Sequence, residues 1–451
     1  MRRKLLGWGA ALIAVAAGFS IWQDQMGVQA TRSDHPKYVV DPSWPRPLPH
    51  QWLIGQVPGL AVDKHDNVWI VQRARTLTSD ERAASNFEPG VAPALDGTLR
   101  PQGALADCCL PAPAVMQFDG KGRLLRAWGG PADPEFGVGG PGSKCEEPNC
   151  QWPNTEHGIY VDHKMNVWLG GQAGGAVLKF TQDGDFLLQI GRRQPPVRNS
   201  NDTDGGINGT PLLAQPADME VDPRTNELYI ADGYTNLRVI VVDADTGKYK
   251  RHWGAYGQNP VDDTQDEPGA GGPYIKNQAP SPNFRNPVHA VRITNDGLVY
   301  VADRVNNRIQ VFDKRKVGAV CQNPMRAPGV CGFVGEIFVE RDTLSNGSAW
   351  DVDVSPDRDQ KWLFNADGTN QYIWTLLRKT GQIVDRFGRN GRSAGQFHWV
   401  HNLAVDSKGN IYTAEVDTGK RAQKFVQLSD DNDRDRGRGR DKDDDDDDGR
   451  R

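Results

Sequence analysis

One pattern of apolar and polar positions recurs along the chain. A short apolar segment ends in Val-Asp or a similar pair, a polar turn follows, and a second apolar segment ends in Ala-Asp, as in 217–232 and 289–303. Short apolar segments joined by Asp, Asn or Gly turns are typical of β-hairpins. The pattern occurs six times, and the fifth copy is the weakest. The first segments of the copies lie at 59–63, 157–162, 217–222, 289–293, 350–354 and 401–406.

The repeats predict an all-β fold, a six-bladed β-propeller over residues 51–428. Third strands follow in several copies, as in 308–312, which gives those copies the strand content of a blade. The spacing between copies is irregular because segments rich in Gly, Pro and Asn separate them, and we expect these long insertions to be loops on the blade rims. The insertions are 75–113, 129–152, 191–215, 255–286 and 314–336.

Composition supports a folded, turn-rich chain. The 451 residues include 50 Gly, 30 Pro, 13 Trp and 10 Tyr, and this aromatic content argues against disorder. The formal net charge is −5, so no basic surplus is available for nucleic acid, and we expect no nucleic-acid partner. The single long apolar run lies near the N-terminus, which excludes a multi-span membrane protein.

The segment 1–30 has the features of an export signal. Residues 2–4 are basic, residues 5–22 are almost entirely apolar, and the small residue Ala30 suits a cleavage site. We predict a signal peptide and a periplasmic or secreted protein. The apolar run is long for a signal peptide, so an uncleaved anchor in the inner membrane is the alternative, and it is the only membrane contact we expect.

Six cysteines fit an oxidising compartment outside the cytoplasm. Two pairs each bracket a short loop and are predicted to form local disulfides. These pairs are Cys145/Cys150 and Cys321/Cys331. Cys108 and Cys109 are adjacent, and their pairing stays open. Because none of the cysteines has Cys-x-x-Cys spacing, we expect no thiolate metal site.

The segment 429–451 differs in composition from the rest of the chain. It is rich in Asp and Arg and contains six consecutive Asp at 443–448. A run of like charges repels itself, so we expect a disordered tail. Deleting this tail should leave folding and metal binding unchanged.

Three histidines share one position in the repeat. Histidine occurs there in blades two, four and six, which are evenly spaced around a closed ring whose first strands line the central channel. We expect the three imidazoles to converge on the axis and to bind Zn²⁺, because three neutral nitrogen ligands with further open positions form a catalytic zinc site. A capping or packing role for each histidine is the alternative. Four residues before the Val or Ile that closes each first strand lie Pro58, His157, Ala217, His289, Trp350 and His401.

Three more polar residues are predicted near the same mouth of the channel. Arg73 ends the second strand of blade one, Arg304 lies at the equivalent end in blade four, and Tyr234 follows the second strand of blade three. Two guanidinium groups beside a metal suit a substrate with a carboxylate, because Arg binds carboxylates through two hydrogen bonds. A Tyr beside Zn²⁺ and Arg would have its phenolate favoured and suit the role of a base. A structural role on the blade rim is the alternative for the two arginines.

The repeats resemble the NHL family of six-bladed β-propellers. The segment 303–312, Asp-Arg-Val-Asn-Asn-Arg-Ile-Gln-Val-Phe, is close to the most typical stretch of that family. The segment 387–406, which begins with Phe-Gly and ends with His-Asn-Leu-Ala-Val-Asp, is similar to it as well. The resemblance covers 51–428 and is specific for the fold, whereas propellers serve both binding and catalysis.

Within this fold, the histidines resemble those of the peptidyl-α-hydroxyglycine α-amidating lyases, also called peptidylamidoglycolate lyases. The zinc histidines of that family open their blades in His-Gly-Leu, His-Ser-Leu and His-Asp-Ile contexts. His157-Gly-Ile, His289-Ala-Val and His401-Asn-Leu match them in order and in blade phase. The resemblance therefore implies that these three residues bind one zinc ion.

The remaining site residues extend the resemblance. Tyr234 lies in Asp-Gly-Tyr-x-Asn like the catalytic Tyr of the family, and Arg73 and Arg304 match its two active-site arginines. The implied reaction cleaves a carbinolamide C–N bond and gives a peptide amide and glyoxylate. Zn²⁺ would bind the substrate hydroxyl, the arginines would hold the carboxylate, and Tyr234 would take the hydroxyl proton. The implied partner is a small-molecule or peptide substrate with a carboxylate.

Three positions depart from the family. Asn402 stands where the family has an Asp that ligates a structural Ca²⁺, and an amide oxygen ligates Ca²⁺ without bringing charge, so calcium stays open. Trp399 replaces a Met of the pocket wall, and Thr235 replaces a disulfide cysteine beside the Tyr loop. Two functions remain: a zinc-dependent lyase of this type, and a non-catalytic propeller that serves as an extracytoplasmic binding or scaffold module.

Overall fold

The computed structural model describes residues 35–86, 103–130, 145, 150–193, 198–262, 274–277, 279–318, 321, 323 and 325–428. The signal peptide or anchor predicted at 1–30 and the tail predicted at 429–451 lie outside these residues, as do parts of the predicted insertions. Among the helices of the described part, none has the length and apolar character that crossing a membrane requires.

The described residues form six antiparallel sheets of four strands each. The strands before and within blade 1 are β1 (Tyr38–Asp41), β2 (Trp52–Leu53), β3 (Gln56–Val62), β4 (Val68–Arg73), β5 (Leu110–Pro111), β6 (Val115–Phe118) and β7 (Leu124–Trp128). Blade 2 contains β8 (Thr155–Val161), β9 (Val167–Ala173), β10 (Ala176–Phe180) and β11 (Phe186–Gly191). Blade 3 contains β12 (Asp218–Asp222), β13 (Glu227–Asp232), β14 (Arg238–Asp243) and β15 (Tyr249–Trp253).

The second half of the ring repeats the same order. Blade 4 contains β16 (Val288–Ile293), β17 (Leu298–Asp303), β18 (Arg308–Asp313) and β19 (Phe333–Phe338). Blade 5 contains β20 (Asp351–Val354), β21 (Trp362–Asp367), β22 (Tyr372–Leu377) and β23 (Gln382–Phe387). Blade 6 contains β24 (Val400–Val405), β25 (Ile411–Glu415) and β26 (Arg421–Gln427). Short 3₁₀ turns lie at Pro49–Gln51, Ala74–Thr76, Ala83–Ser85, Ile207–Gly209, Ala255–Gly257 and Arg304–Asn306.

The last blade takes its fourth strand from the beginning of the chain. β1 pairs antiparallel with β26, with Tyr38 opposite Gln427 and Val40 opposite Phe425. This pairing joins the two ends of the described chain in one sheet and closes the ring, so that the outer edge of β26 is covered. The all-β, six-bladed propeller predicted from the repeats is confirmed.

Apolar side chains on alternate residues of the strands fill the six junctions between blades. In β13, Leu228 and Ile230 pack toward blade 2, whereas Tyr229 and Ala231 pack toward blade 4. Because successive side chains of a strand point to opposite faces, a strand buried on both faces must be apolar throughout. Each of the six junctions has one such cluster among the described residues, and these clusters hold the first strands in fixed positions around the channel.

Three details differ from the boundaries predicted from the sequence. β1 lies before residue 51, where the propeller was expected to begin. The predicted insertion 75–113 contains β5, which pairs in parallel with β2. The predicted insertion 314–336 overlaps β19, which begins at Phe333. A strand shows its register only through its partner, and β1 and β5 pair with distant segments, so the local pattern did not reveal them.

The cysteines are paired. The two predicted local disulfides, Cys145–Cys150 and Cys321–Cys331, are present, and Cys108 is joined to Cys109. Disulfides persist in oxidising compartments outside the cytoplasm. The pairing therefore supports an extracellular or lumenal environment for the folded protein.

Candidate active site

The three predicted histidines meet in the central channel. His157, His289 and His401 are 2%, 3% and 4% exposed, and their ring centroids are 4.7 to 5.1 Å apart. One nitrogen of each ring lies within 4.8 Å of the corresponding nitrogens of the other two. A single ion placed between them could contact all three rings.

Interruptions in strand pairing coincide with the histidines. In β8, β16 and β24 the register to the second strand shifts where the histidine occurs. The shifts lie between Glu156 and Ile159, between Val288 and Ala290, and between Val400 and Asn402. An extra residue in one strand redirects its side chain, and such bulges are common beside active sites. β3 has the same interruption around Pro58, whereas β12 and β20 pair without one.

Each histidine is held by the backbone of the following blade. The Nδ1 atoms of His157, His289 and His401 lie 2.7, 2.5 and 2.6 Å from the carbonyl oxygens of Ala217, Trp350 and Pro58. A carbonyl oxygen only accepts, so Nδ1 carries the hydrogen in all three rings. Nε2 is therefore the ring nitrogen that carries the lone pair and can bind a metal. The three acceptors occupy the same repeat position as the histidines, in blades 3, 5 and 1, which makes the arrangement threefold.

The electrostatics of the channel keep the histidines neutral. Burial, and next the neighbouring cationic groups, hold the pKa of His157, His289 and His401 well below the ordinary histidine value. A neutral imidazole with Nδ1–H bonded to a carbonyl oxygen and Nε2 free is the form in which histidine binds metals. The donor set thus fits a first-row divalent cation.

Tyr234 lies directly beside the histidines. Its hydroxyl oxygen is 2.9 Å from Nε2 of His157 and 3.0 Å from Nε2 of His289. The loop that carries it passes close to blade 4, since a Cβ at Gly233 would lie 1.9 Å from the carbonyl oxygen of Val288. Glycine is therefore required before the tyrosine. Burial raises the pKa of Tyr234 although the charges of Arg304 and Arg73 oppose this shift, so the two arginines alone do not favour the phenolate.

Arg73 enters the site from the end of β4. Its Nε donates to the carbonyl oxygen of Glu156 at 2.8 Å, and its Nη1 donates to Oε1 of Gln56 at 2.9 Å. The Glu156 carboxylate accepts instead from Arg75 and from the Trp152 indole, at 2.5 and 2.8 Å. Both known partners of Arg73 are thus neutral oxygens.

Arg304 enters from the opposite side, after β17. Its Nη1 lies 3.3 Å from the hydroxyl oxygen of Tyr234, and its guanidinium carbon is 4.4 Å from the ring centroid of Trp350. Its Nε is buried without a hydrogen-bond partner. Among the described residues, neither Arg304 nor Arg73 forms an ion pair. Arg304 is thus a buried cation without an anionic partner among the described residues, an arrangement that favours binding of an external anion.

The structure brings all six predicted site residues to one end of the channel, together with residues that the sequence did not single out for the site. Trp350 contributes its carbonyl oxygen to His289 and its indole face to Arg304. Glu156 positions Arg73 and Arg75 through its carbonyl and its carboxylate. The one available signal was positional, since Trp350 occupies the histidine position of its blade and Glu156 directly precedes His157.

Comparison with known proteins agrees with this geometry. A family model described as NHL repeat matches residues 286–312, which include β16, β17 and most of β18 with His289 and Arg304. The chain contains an NHL repeat. The resemblance to NHL propellers drawn from the sequence motifs is thereby confirmed.

Curated relatives extend the likeness over most of the chain. Peptidyl-glycine alpha-amidating monooxygenase B of Xenopus laevis is 23% identical over 367 residues, which are 80% of this chain and 33% of that protein. Peptidyl-alpha-hydroxyglycine alpha-amidating lyase 1 of Drosophila melanogaster is 26% identical over 289 residues, which are 60% of this chain and 44% of that protein. NHL repeat-containing protein 3 of Mus musculus is 29% identical over 336 residues, 70% of this chain and 73% of that protein. The chain therefore spans less than half the length of these two amidating relatives, and its resemblance to amidating lyases is confirmed at low identity.

Proposed function

We propose that this protein is an exported zinc-dependent lyase that cleaves a carbinolamide C–N bond and releases an amide and glyoxylate. The observation that carries the proposal is the juxtaposition of three neutral histidines, one tyrosine, the buried Arg304 and the half-buried Arg73, neither of which forms an ion pair among the described residues. The names of the amidating relatives support the reaction class. The paired cysteines support the extracytoplasmic location.

The histidines would hold the zinc ion through their Nε2 atoms. When bound, zinc supplies a Lewis acid that polarises an oxygen of the substrate. The carbonyl oxygens of Ala217, Trp350 and Pro58 fix the orientation of the rings by accepting from Nδ1, and such outer contacts commonly determine metal affinity.

The two arginines would select the substrate by its charge. Arg304 and Arg73 approach the histidines from blades 4 and 1, and each retains N–H groups without an acceptor among the described residues. A guanidinium binds a carboxylate through two charge-assisted hydrogen bonds. The carboxylate of a hydroxyglycine would neutralise the buried positive charge and place the neighbouring carbinol carbon beside Tyr234.

Tyr234 would transfer a proton from the substrate hydroxyl to the amide nitrogen. The substrate contains the unit amide N–H, carbinol C–OH and carboxylate, and the reaction converts the C–OH into a C=O while the C–N bond breaks. The electron pair of that bond stays on nitrogen, which takes up a proton equivalent to the one that leaves the hydroxyl. The reaction needs no water and no oxidant, and a single group that accepts and then returns a proton is sufficient.

Glyoxylate release tests the proposal. Zinc-loaded protein incubated with a peptidyl-α-hydroxyglycine should release glyoxylate in step with the peptide amide. Tyr234→Phe should keep the zinc and lose about a hundredfold or more of the rate, because only the phenol oxygen is removed. Glyoxylate absent from reactions of the fully zinc-loaded native protein would refute the reaction while leaving the metal site intact.

A non-catalytic binding module is the second candidate function. The observation in its favour is the likeness to NHL repeat-containing protein 3, of which this chain covers 73%. The same assay separates the two functions. A binding module would retain a carboxylate ligand without turning it over, and Tyr234→Phe would leave that binding unchanged.

A further inference from the structure

Past the histidine position of the first strands, side chains of the channel wall bind the backbone of the following blade. Carboxylates of blades 3 and 5 accept backbone N–H groups of blades 4 and 6 at 2.7 to 3.2 Å. The pairs are Asp218 with Val291, Glu220 with Ile293, Asp351 with Leu403, and Asp353 with Val405. These side chains thus connect consecutive first strands directly.

Asn402 makes the corresponding connection from blade 6 to blade 1. Its Oδ1 accepts the backbone N–H of Leu60 at 2.8 Å. Its Nδ2 donates to Oδ2 of Asp351 in blade 5 at 2.7 Å. The side chain is 8% exposed. One amide therefore bonds three consecutive blades, at the junction where the chain closes its ring.

Asn402 is not placed as a ligand for the calcium ion that the family resemblance implies. A calcium ligand at residue 402 would have to present an oxygen lone pair to the ion. The Asn402 oxygen is directed to the Leu60 N–H, and the other end of the amide is a donor that is directed to a carboxylate. A cation near Nδ2 would face its N–H groups and would displace the bond to Asp351.

We propose that Asn402 closes the propeller as a metal-free latch in place of a structural cation. The two neighbours of Asn402 have opposite requirements, because Leu60 offers a donor and Asp351 offers an acceptor. A carboxamide satisfies both at once. A carboxylate at residue 402 would accept from Leu60 but would face Asp351 with like charge, and only a cation or a proton could relieve that repulsion. This inference does not depend on the lyase reaction.

Thermal unfolding of zinc-saturated protein, with and without millimolar Ca²⁺, tests the latch. The native protein should show the same melting temperature in both conditions and should contain no stoichiometric calcium after purification. Asn402→Ala should melt several degrees lower in both conditions, because it leaves the Leu60 N–H and the Asp351 carboxylate without this partner. It serves as the control, since alanine cannot bind calcium.

Asn402→Asp should melt several degrees lower without Ca²⁺ and recover when Ca²⁺ is added. A native melting temperature that rises by several degrees with Ca²⁺ would overturn the proposal. So would an Asn402→Ala variant as stable as the native protein.

Discussion

Two buried arginines of blade 4, only four residues apart, have opposite surroundings. Arg308 is fully buried, with Nε 2.7 Å from Oδ2 of Asp303 and Nη1 3.1 Å from Oε2 of Glu336. Arg304 makes one bond, to the phenol of Tyr234, and its Nε has no partner. The difference separates an arginine that the fold has neutralised from one whose charge remains available to a ligand.

The paired arginine recurs around the ring. In blades 3 and 6, as in blade 4, an arginine that begins the third strand pairs with an acidic residue that ends the second strand. These pairs are Arg238–Asp232 at 3.0 Å, Arg308–Asp303 at 2.7 Å and Arg421–Glu415 at 2.7 Å. The recurrence marks these arginines as structural parts of the repeat. Arg73 and Arg304 lie instead at the end of a second strand, form no ion pair among the described residues, and lie beside the histidines.

The largest effect should come from removing the paired arginine. Arg308→Met leaves the buried Asp303 and the half-buried Glu336 without their cation and should cost about 3–5 kcal/mol of the free energy of unfolding. Arg304→Met removes a charge that has no counterion and should change stability by less than about 1 kcal/mol. Urea unfolding of both variants measures the contrast. Equal losses would mean that Arg304 is as structural as Arg308.

Glu220 lies between the paired and the unpaired case, because its cationic partner is distant and shared. Arg292 lies 3.7 Å from it and also pairs with Asp353 at 3.4 Å. Burial raises the pKa of Glu220 to about 8. A carboxyl whose pKa is higher in the folded state stabilises the fold at low pH, and this contribution is lost as pH rises from about 5 to about 8, by roughly 1.4 kcal/mol per pH unit.

The Glu220→Gln variant isolates this contribution. Glutamine stays neutral at every pH and keeps an oxygen for the Ile293 N–H. The variant should match the native stability near pH 5 and exceed it increasingly toward pH 8, as measured by urea unfolding across this range. Parallel pH profiles for the two proteins would show that Glu220 is ionised and adequately paired.

Loss of the unpaired arginine should appear in ligand binding. Arg304→Gln removes charge-assisted hydrogen bonds worth about 1.5–3 kcal/mol, which corresponds to a tenfold to hundredfold weaker affinity for a carboxylate. Calorimetric titration of zinc-loaded protein with glyoxylate measures it. Arg386→Gln is the matched control, because Arg386 also lies over a tryptophan, Trp374, but on the outer strand of blade 5. Equal affinities in the two variants would exclude Arg304 from the ligand site.

The smallest effect on ligand affinity should come from the Trp350 indole, which lies against the Arg304 guanidinium. Trp350→Leu removes a cation–π contact worth about 1 kcal/mol, so the affinity for glyoxylate should fall about fivefold. Trp350→Phe keeps an aromatic face and should recover much of that loss. Zinc should stay bound in both variants, since His289 is held by the carbonyl oxygen of residue 350 rather than by its side chain. Zinc loss in Trp350→Phe would contradict this division of roles.

The sequence predicted the blades and the phase of the histidines because both repeat with a period that local patterns reveal. It could not predict what holds His401, since the acceptor is a backbone carbonyl of Pro58, 343 residues away, and any residue type supplies a carbonyl. It could not distinguish Arg304 from Arg308 either, because pairing depends on partners such as Glu336 from a distant strand. Asn402 was recognised as a departure, but its two bonds depend on Leu60 and Asp351 in neighbouring blades.

The central claim is that His157, His289 and His401 bind one zinc ion. Elemental analysis of the purified protein, compared with single alanine variants of each histidine and with His65→Ala as an exposed hairpin control, tests it most directly. We predict near one zinc per native and His65→Ala chain, and loss of most of the zinc in each variant of the three, with the six-bladed fold retained. Zinc content unchanged by His289→Ala would contradict the shared site.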